Sequence, residues 1–283
     1  MEQALLNINL SGCHFMEKIN RELWSKPFKE SEFPEWHCSK CKKGIYQILP
    51  DHFFKFKDAD TLAEENEEYF EFDWIKYRFT ACLKCNNSKC GESAVVTGVG
   101  KVISFDYEAD NGEYGTHHDE LFYPDYCCPP PYVFAIPELT PDEVKSNILS
   151  SFTIFFSDFH SAANKLRVAL EYLLIHEGIL KNEKKHYKLT TRIDKLCEKH
   201  SLDTHDLYDT IRIIGDEGSH GGTISNKLSI ENIFDAFDVI SFLLNELYML
   251  KNRRTDLNII TKKYKNEVTL LQAYKHCHSN EPF

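Results

Sequence analysis

Two groups of residues in this sequence have the types and spacing to do chemistry. The first is Cys38-Ser39-Lys40-Cys41, with Gly44 close behind. Two thiolates at that spacing grip one metal ion when the backbone between them turns tightly. A matching group follows, where Ile75, Tyr77, Phe79, Ala81 and Leu83 alternate with Lys76, Arg78, Thr80 and Lys84 and run into Cys82, Cys85 and Cys90. Period-two alternation predicts a half-buried strand. With Ala94 to Val99 after it, the stretch reads as a hairpin whose tip is Asn86 to Lys89. Cys82 then falls mid-strand on the polar side, whereas Cys85 and Cys90 flank the tip. The expected ligands are therefore Cys38, Cys41, Cys85 and Cys90, with Cys82 in reserve and His37 as a surface neighbour. Four thiolates close a tetrahedral sphere and leave no position for water, so the expected role of zinc here is structural.

The second group is Thr210-Ile211-Arg212-Ile213-Ile214-Gly215-Asp216-Glu217-Gly218-Ser219-His220. Arginine supplies a fixed charge on a planar donor fork, and histidine exchanges a proton near neutral pH. Such a pair can deprotonate a ribose hydroxyl and steady charge on a phosphodiester. The two glycines let the chain turn back and bring His220 toward Arg212. Arg167 and Glu171, four positions apart on a predicted helix, meet beside its apolar stripe. Together they define a polar cluster of Arg167, Glu171, Arg212 and His220. A salt-bridge network that fixes helix packing is the alternative for the same residues.

The elements that must position these groups follow from composition and punctuation. A chain of 283 residues, 42% hydrophobic and 27% charged, suits two ordinary globular domains. A formal charge of −11 argues against avid, sequence-independent binding to nucleic acid but leaves room for a local basic site. No run approaches about 18 apolar residues, and the N-terminus lacks a basic, then apolar, leader. The expectation is a cytoplasmic protein that does not enter the membrane, whose 10 cysteines are thiols or metal ligands.

Residues 1–33 read as a polar, partly helical lead-in, 34–123 as a zinc-ribbon-like β domain, and 124–140 as a proline-rich connector. An α-helical bundle spans 141–252 and a charged tail 253–283. Within the bundle, Thr140-Pro141-Asp142-Glu143 has the form of a capping box. Predicted helices cover about 161–176, stopped by Gly178, then 190–199 and 229–250. The acidic run from Asp58 to Glu68 reads as a solvated face. The adjacent His117 and His118 point to opposite faces of a strand and do not share an ion.

The segments Lys165-Leu166-Arg167-Val168-Ala169-Leu170-Glu171 and Ile211 to His220, preceded by a split cysteine site, resemble the domain-of-unknown-function 4145 family from about Trp36 to Leu247. The helical part is similar to the HEPN superfamily. That resemblance implies an α+β protein, a zinc-ribbon-like β domain followed by a HEPN-like helical bundle. It further implies a homodimer in a prokaryotic defence or stress system, with Arg212 and His220 cleaving RNA without metal. The spacing differs from that of the resembled nucleases, with seven residues between Arg212 and His220 and Ile213 directly after the arginine. The alternative function is a non-catalytic, zinc-stabilised scaffold that binds a protein partner in a defence or restriction system.

Overall fold

A computed structural model describes residues 19–108, 112, 114–180, 188–202, 210–211, 229–249, 258 and 261–265. Four strands, β1 (Tyr46–Lys57), β2 (Lys76–Cys85), β3 (Ser93–Glu108) and β4 (Tyr114–Cys128), form one antiparallel sheet in chain order. Short helices α1 (Glu22–Ser25) and α2 (Ala59–Glu64) precede β1 and β2, respectively. Beyond the sheet come α3 (Asp142–Ile154), α4 (Phe159–His176), α5 (Leu189–His200) and α6 (Ile230–Leu244). The last passes into a π-helical turn at Asn245–Met249. The chain is thus α+β, with its sheet in the first half and its longer helices in the second.

The alternation along β2 is realised as expected. Tyr77, Phe79, Ala81 and Leu83 are buried on one face, while Lys76, Arg78 and Lys84 lie exposed on the other. Phe53 and Phe122 join the buried face, at 5.5 and 5.2 Å from the Phe79 ring. The segment before β1 covers this face. Phe28 pairs with Phe122 through two backbone hydrogen bonds, of 3.0 and 2.8 Å, and its ring packs on Phe79.

The same segment joins sheet to helices. Trp24 and Trp36 stack with centroids 5.6 Å apart; Trp36 then meets Phe156 at 5.2 Å and Trp24 meets Phe155 at 6.1 Å. Both indoles are almost fully buried, and Trp36 donates its Nε1 hydrogen to the Leu23 carbonyl at 3.1 Å. An indole packs a large apolar body while its one donor finds a partner, which suits it to such a junction. From there Phe134, Phe152, Phe155, Phe234 and Phe237 continue the core between α3, α4 and α6.

The α4 stripe of Leu166, Ala169, Leu170, Leu173 and Leu174 is buried, and Ala162 and Ala163 let α3 approach closely. Ser151 of α3 donates to the Ala162 carbonyl at 3.0 Å in that contact. Gly178, at φ 77°, ends the helix in the left-handed conformation that favours glycine.

Two local readings change. Pro124 lies inside β4, because a bulge opposite Thr97 and Gly98 absorbs a residue that cannot donate to the ladder. Gly98 makes this possible: a Cβ there would come 2.1 Å from the Tyr123 carbonyl oxygen. The predicted capping box at Thr140 does not form, for the N-cap falls on Pro141 without a side-chain cap and Thr140 Oγ1 is buried without a partner. A box does occur at α6, where the Ser229 N–H donates to Asn232 Oδ1 at 2.9 Å.

Candidate metal centre and helical polar cluster

Two loops face each other at one end of the sheet. In the first, the Cys38 N–H donates to the Gly44 carbonyl at 2.8 Å and the Lys42 N–H to the Cys38 carbonyl at 2.9 Å, with Lys42 left-handed at φ 57°. In the second, the Cys85 N–H donates to the Glu92 carbonyl at 2.8 Å, and Gly91, at φ 61°, donates to the Asn87 carbonyl at 3.1 Å. Each loop therefore closes on itself and reverses through a left-handed residue just after its second cysteine. Reciprocal bonds lock the pair: Asn86 N–H to the Ile45 carbonyl and Ile45 N–H to Asn86 Oδ1, both 3.0 Å.

This arrangement brings Cys38, Cys41, Cys85 and Cys90 together, all four Sγ atoms lying within 4.8 Å of one another. Cys38 and Cys90 are 3.8 Å apart and Cys41 and Cys85 3.6 Å, far beyond the roughly 2.05 Å of a disulfide. All four are free thiols, and the set could hold a metal ion. The loop backbone already favours negative sulfur: the amides of Gly44 and then Lys43 lower the Cys41 thiol to about 6. Burial instead pushes Cys85 up to about 12. A cation among the four would reverse that penalty, because a coordinating thiol is deprotonated outright. Cys82 lies on the opposite face of β2 from Cys85, as register requires, and His37 bridges to Ile45 through backbone pairing.

In the helical half, Arg167 Nε lies 3.5 Å from Glu171 Oε1 on α4, both side chains partly open to solvent. Arg212 and His220 fall outside the described residues. Just before them, Thr210 and Ile211 are helical and Ile211 is buried.

A third arginine, missed in the sequence, stands behind Glu171. Arg192 of α5 is 3% exposed and donates to the Ile179 carbonyl through Nε at 3.3 Å and Nη2 at 3.0 Å, and to the Glu171 carbonyl at 3.4 Å. Burial lowers its pKa, with the Glu171 charge opposing that shift. Its helical relation to buried Leu196, four positions on, was the available signal. Nearby, Glu177 is nearly buried and accepts from Lys199 Nζ at 2.8 Å and His200 Nε2 at 2.7 Å, tying the end of α4 to the end of α5.

Comparison with known families divides the chain in two. Residues 26–127 match the model of Domain of unknown function (DUF8608), and residues 150–263 match that of Domain of unknown function (DUF4145). The likeness expected to run from Trp36 to Leu247 thus belongs to two families in tandem, the metal-site cysteines lying in the first. No curated protein and no solved structure matches the chain. The segment of residues 150–263, which contains α4, α5, α6 and the arginine-to-histidine stretch, is thus similar to the DUF4145 family.

Proposed function

We propose that this protein is an RNA-directed module of a prokaryotic defence or stress system, in which a zinc-stabilised β half carries a HEPN-like helical half. Its chemistry is metal-independent cleavage of RNA in a homodimer, with His220 as acid and base and Arg212 on the phosphate. The observation that supports this reading is the DUF4145 match over residues 150–263, which holds Arg167, Glu171, Arg212 and His220 in one family domain. The Arg167–Glu171 pair lies on the rim of α4 and is partly open to solvent, as a site that receives a polyanion requires.

Zinc is the metal that suits the β half. With Zn–S bonds of about 2.3 Å, tetrahedral geometry sets S–S edges of about 3.8 Å, close to the 3.6 and 3.8 Å separations of the two cysteine pairs. When bound, the ion supplies cross-linking between the loops and no catalysis, since four thiolates leave no open position. The protein's own residues do the rest, the backbone amides at Gly44 stabilising sulfur and Lys42 and Gly91 setting the reversals.

The second reading, a non-catalytic scaffold, draws support from the aromatic junction of Trp24, Trp36, Phe155 and Phe156, which packs the two halves against each other. RNA cleavage in EDTA separates the two, comparing the natural protein with Arg212→Ala and His220→Ala at matched thermal stability. Cleavage lost in both folded variants is the expected result. A natural protein inert toward varied RNA, or variants that cleave equally well, removes the nuclease and leaves the scaffold.

A further inference from the structure

The sheet buries one face and leaves the other open among the described residues. Aromatic side chains stand on that open face. Phe54 and Phe56 of β1 are 47% and 65% exposed and Tyr126 of β4 is 42% exposed. Strand register places these residues. Phe54, Thr80, Thr97 and Tyr126 form one row across the four strands, and Phe56, Arg78, Val99 and Tyr123 form the next. At about 4.8 Å per strand the rows are about 14 Å wide. An aromatic pair therefore stands at each edge, with Thr80, Thr97, Val99 and Arg78 between.

Cations interleave with the rings. β2 turns Lys76, Arg78 and Lys84 to this face, all exposed, and β3 adds Lys101, whose Nζ sits 5.6 Å from the Tyr123 ring centroid. Among the described residues none of the four forms a salt bridge, and the acids that feel their charge are Asp125, facing Arg78, and Asp58, facing Lys76 and Arg78. The face is thus locally basic in a chain of net charge −11. Two copies docked through it would bring like charges together, and a purely apolar partner would leave them uncompensated. Flat rings flanked by cations are the arrangement that stacks bases and neutralises phosphates.

We propose that the outer sheet face, centred on Phe54, Phe56, Arg78, Lys101, Tyr123 and Tyr126, binds single-stranded RNA. This rests on the RNA-directed reading above. Bases stack on the edge aromatics, and the backbone follows the β2 and β3 cations. A duplex keeps its bases inside and offers only phosphates, so it binds more weakly.

The test is fluorescence anisotropy of the full chain with a labelled single-stranded RNA of mixed sequence, a duplex RNA of the same length, and polyglutamate as competitor. Phe54→Ala/Phe56→Ala and Tyr126→Ala should each weaken single-strand binding by roughly tenfold or more, with the salt dependence unchanged. Arg78→Gln should shallow the slope of log K against log salt by about 0.7. All these side chains are exposed, and an unchanged melting temperature confirms that each variant folds. Single-strand binding equal to wild type in all three variants overturns the proposed face while RNA binding itself stands. Displacement by polyglutamate as effective as by RNA overturns it in favour of an acidic protein partner. No binding of single strands by the natural protein removes both this face and the RNA-directed reading. Binding through the face without cleavage leaves the inference and removes only the nuclease.

Discussion

Gly44 lies directly against Cys85: a Cβ added to Gly44 would come 2.5 Å from the Cys85 sulfur and 2.9 Å from Asn86 Oδ1. The glycine is required by proximity to a ligand, since the reciprocal Ile45–Asn86 bonds beside it hold the Cys38 loop on the Cys85 loop. Gly44→Ala should cost about 1–3 kcal/mol, as crowding a packed site does. It should also reduce the metal retained after gel filtration, read by elemental analysis. Full retention with an unchanged melting temperature would contradict the loop packing described above.

The four thiols should act as one unit. Cys38→Ser/Cys41→Ser is expected to lose about one equivalent of metal and the cooperative unfolding of the sheet, because binding a structural ion is folding free energy. Cys82→Ser, on the other face of β2, should keep both. Affinity should fall as pH drops, since bound thiolates must compete with protons. A metal content that follows Cys82 instead would reassign the site.

Asp158 caps α4. Its carboxylate accepts from the Ser161 amide at 2.9 Å and from the Ser161 hydroxyl, contacts that hold its pKa below the usual carboxylate value. A depressed folded pKa contributes stability that is present above the unfolded value of about 3.9 and lost as pH falls through the folded one. Asp158→Ala should therefore cost about 1 kcal/mol at neutral pH and progressively less in acid. Urea unfolding at neutral and at acid pH measures both, and a difference that does not shrink as the pH falls would discount the cap.

Arg192 braces the chain after α4 from within. Arg192→Met keeps much of the volume but leaves the Ile179 carbonyl unpaired, a loss expected at about 1–3 kcal/mol. Arg192→Lys should recover part of it, since an ammonium reaches one carbonyl but not both. If Arg192→Met unfolds at the same urea concentration as the natural chain, the arginine is not the brace.

Much of the β half was legible because its signals are local. The β2 alternation gave a strand with the correct inner face, and the cysteine spacing gave the two loops that now face each other. Pro124 misled because tolerance of a proline in β4 depends on Gly98 in the neighbouring strand, a relation between residues far apart in sequence. The Thr140 cap failed at the level of one residue, where Pro141 took the terminus. Arg192 shared a helical stripe with Leu196, yet its burial depends on carbonyls that α4 and the following turn place above it. The open aromatic face was hidden for a related reason: Phe54 and Tyr126 become neighbours in one row only through the register of four strands.

The contact that begins the described chain also constrains how it can fold. The Ile19 N–H donates to Asp238 Oδ1 at 3.0 Å, and Arg21 meets Glu231 and Asp235 at 2.6 Å and Asp238 at 3.3 Å, across more than 200 residues. Such pairing closes a very long loop before it returns any stabilisation. On the ribosome the segment that carries Ile19 and Arg21 has no α6 to dock on until the residues through Leu244 have emerged. The cysteine loops, close in sequence, can close long before that, so maturation should run from the metal-site end of the sheet outward, with Arg21 fastening last.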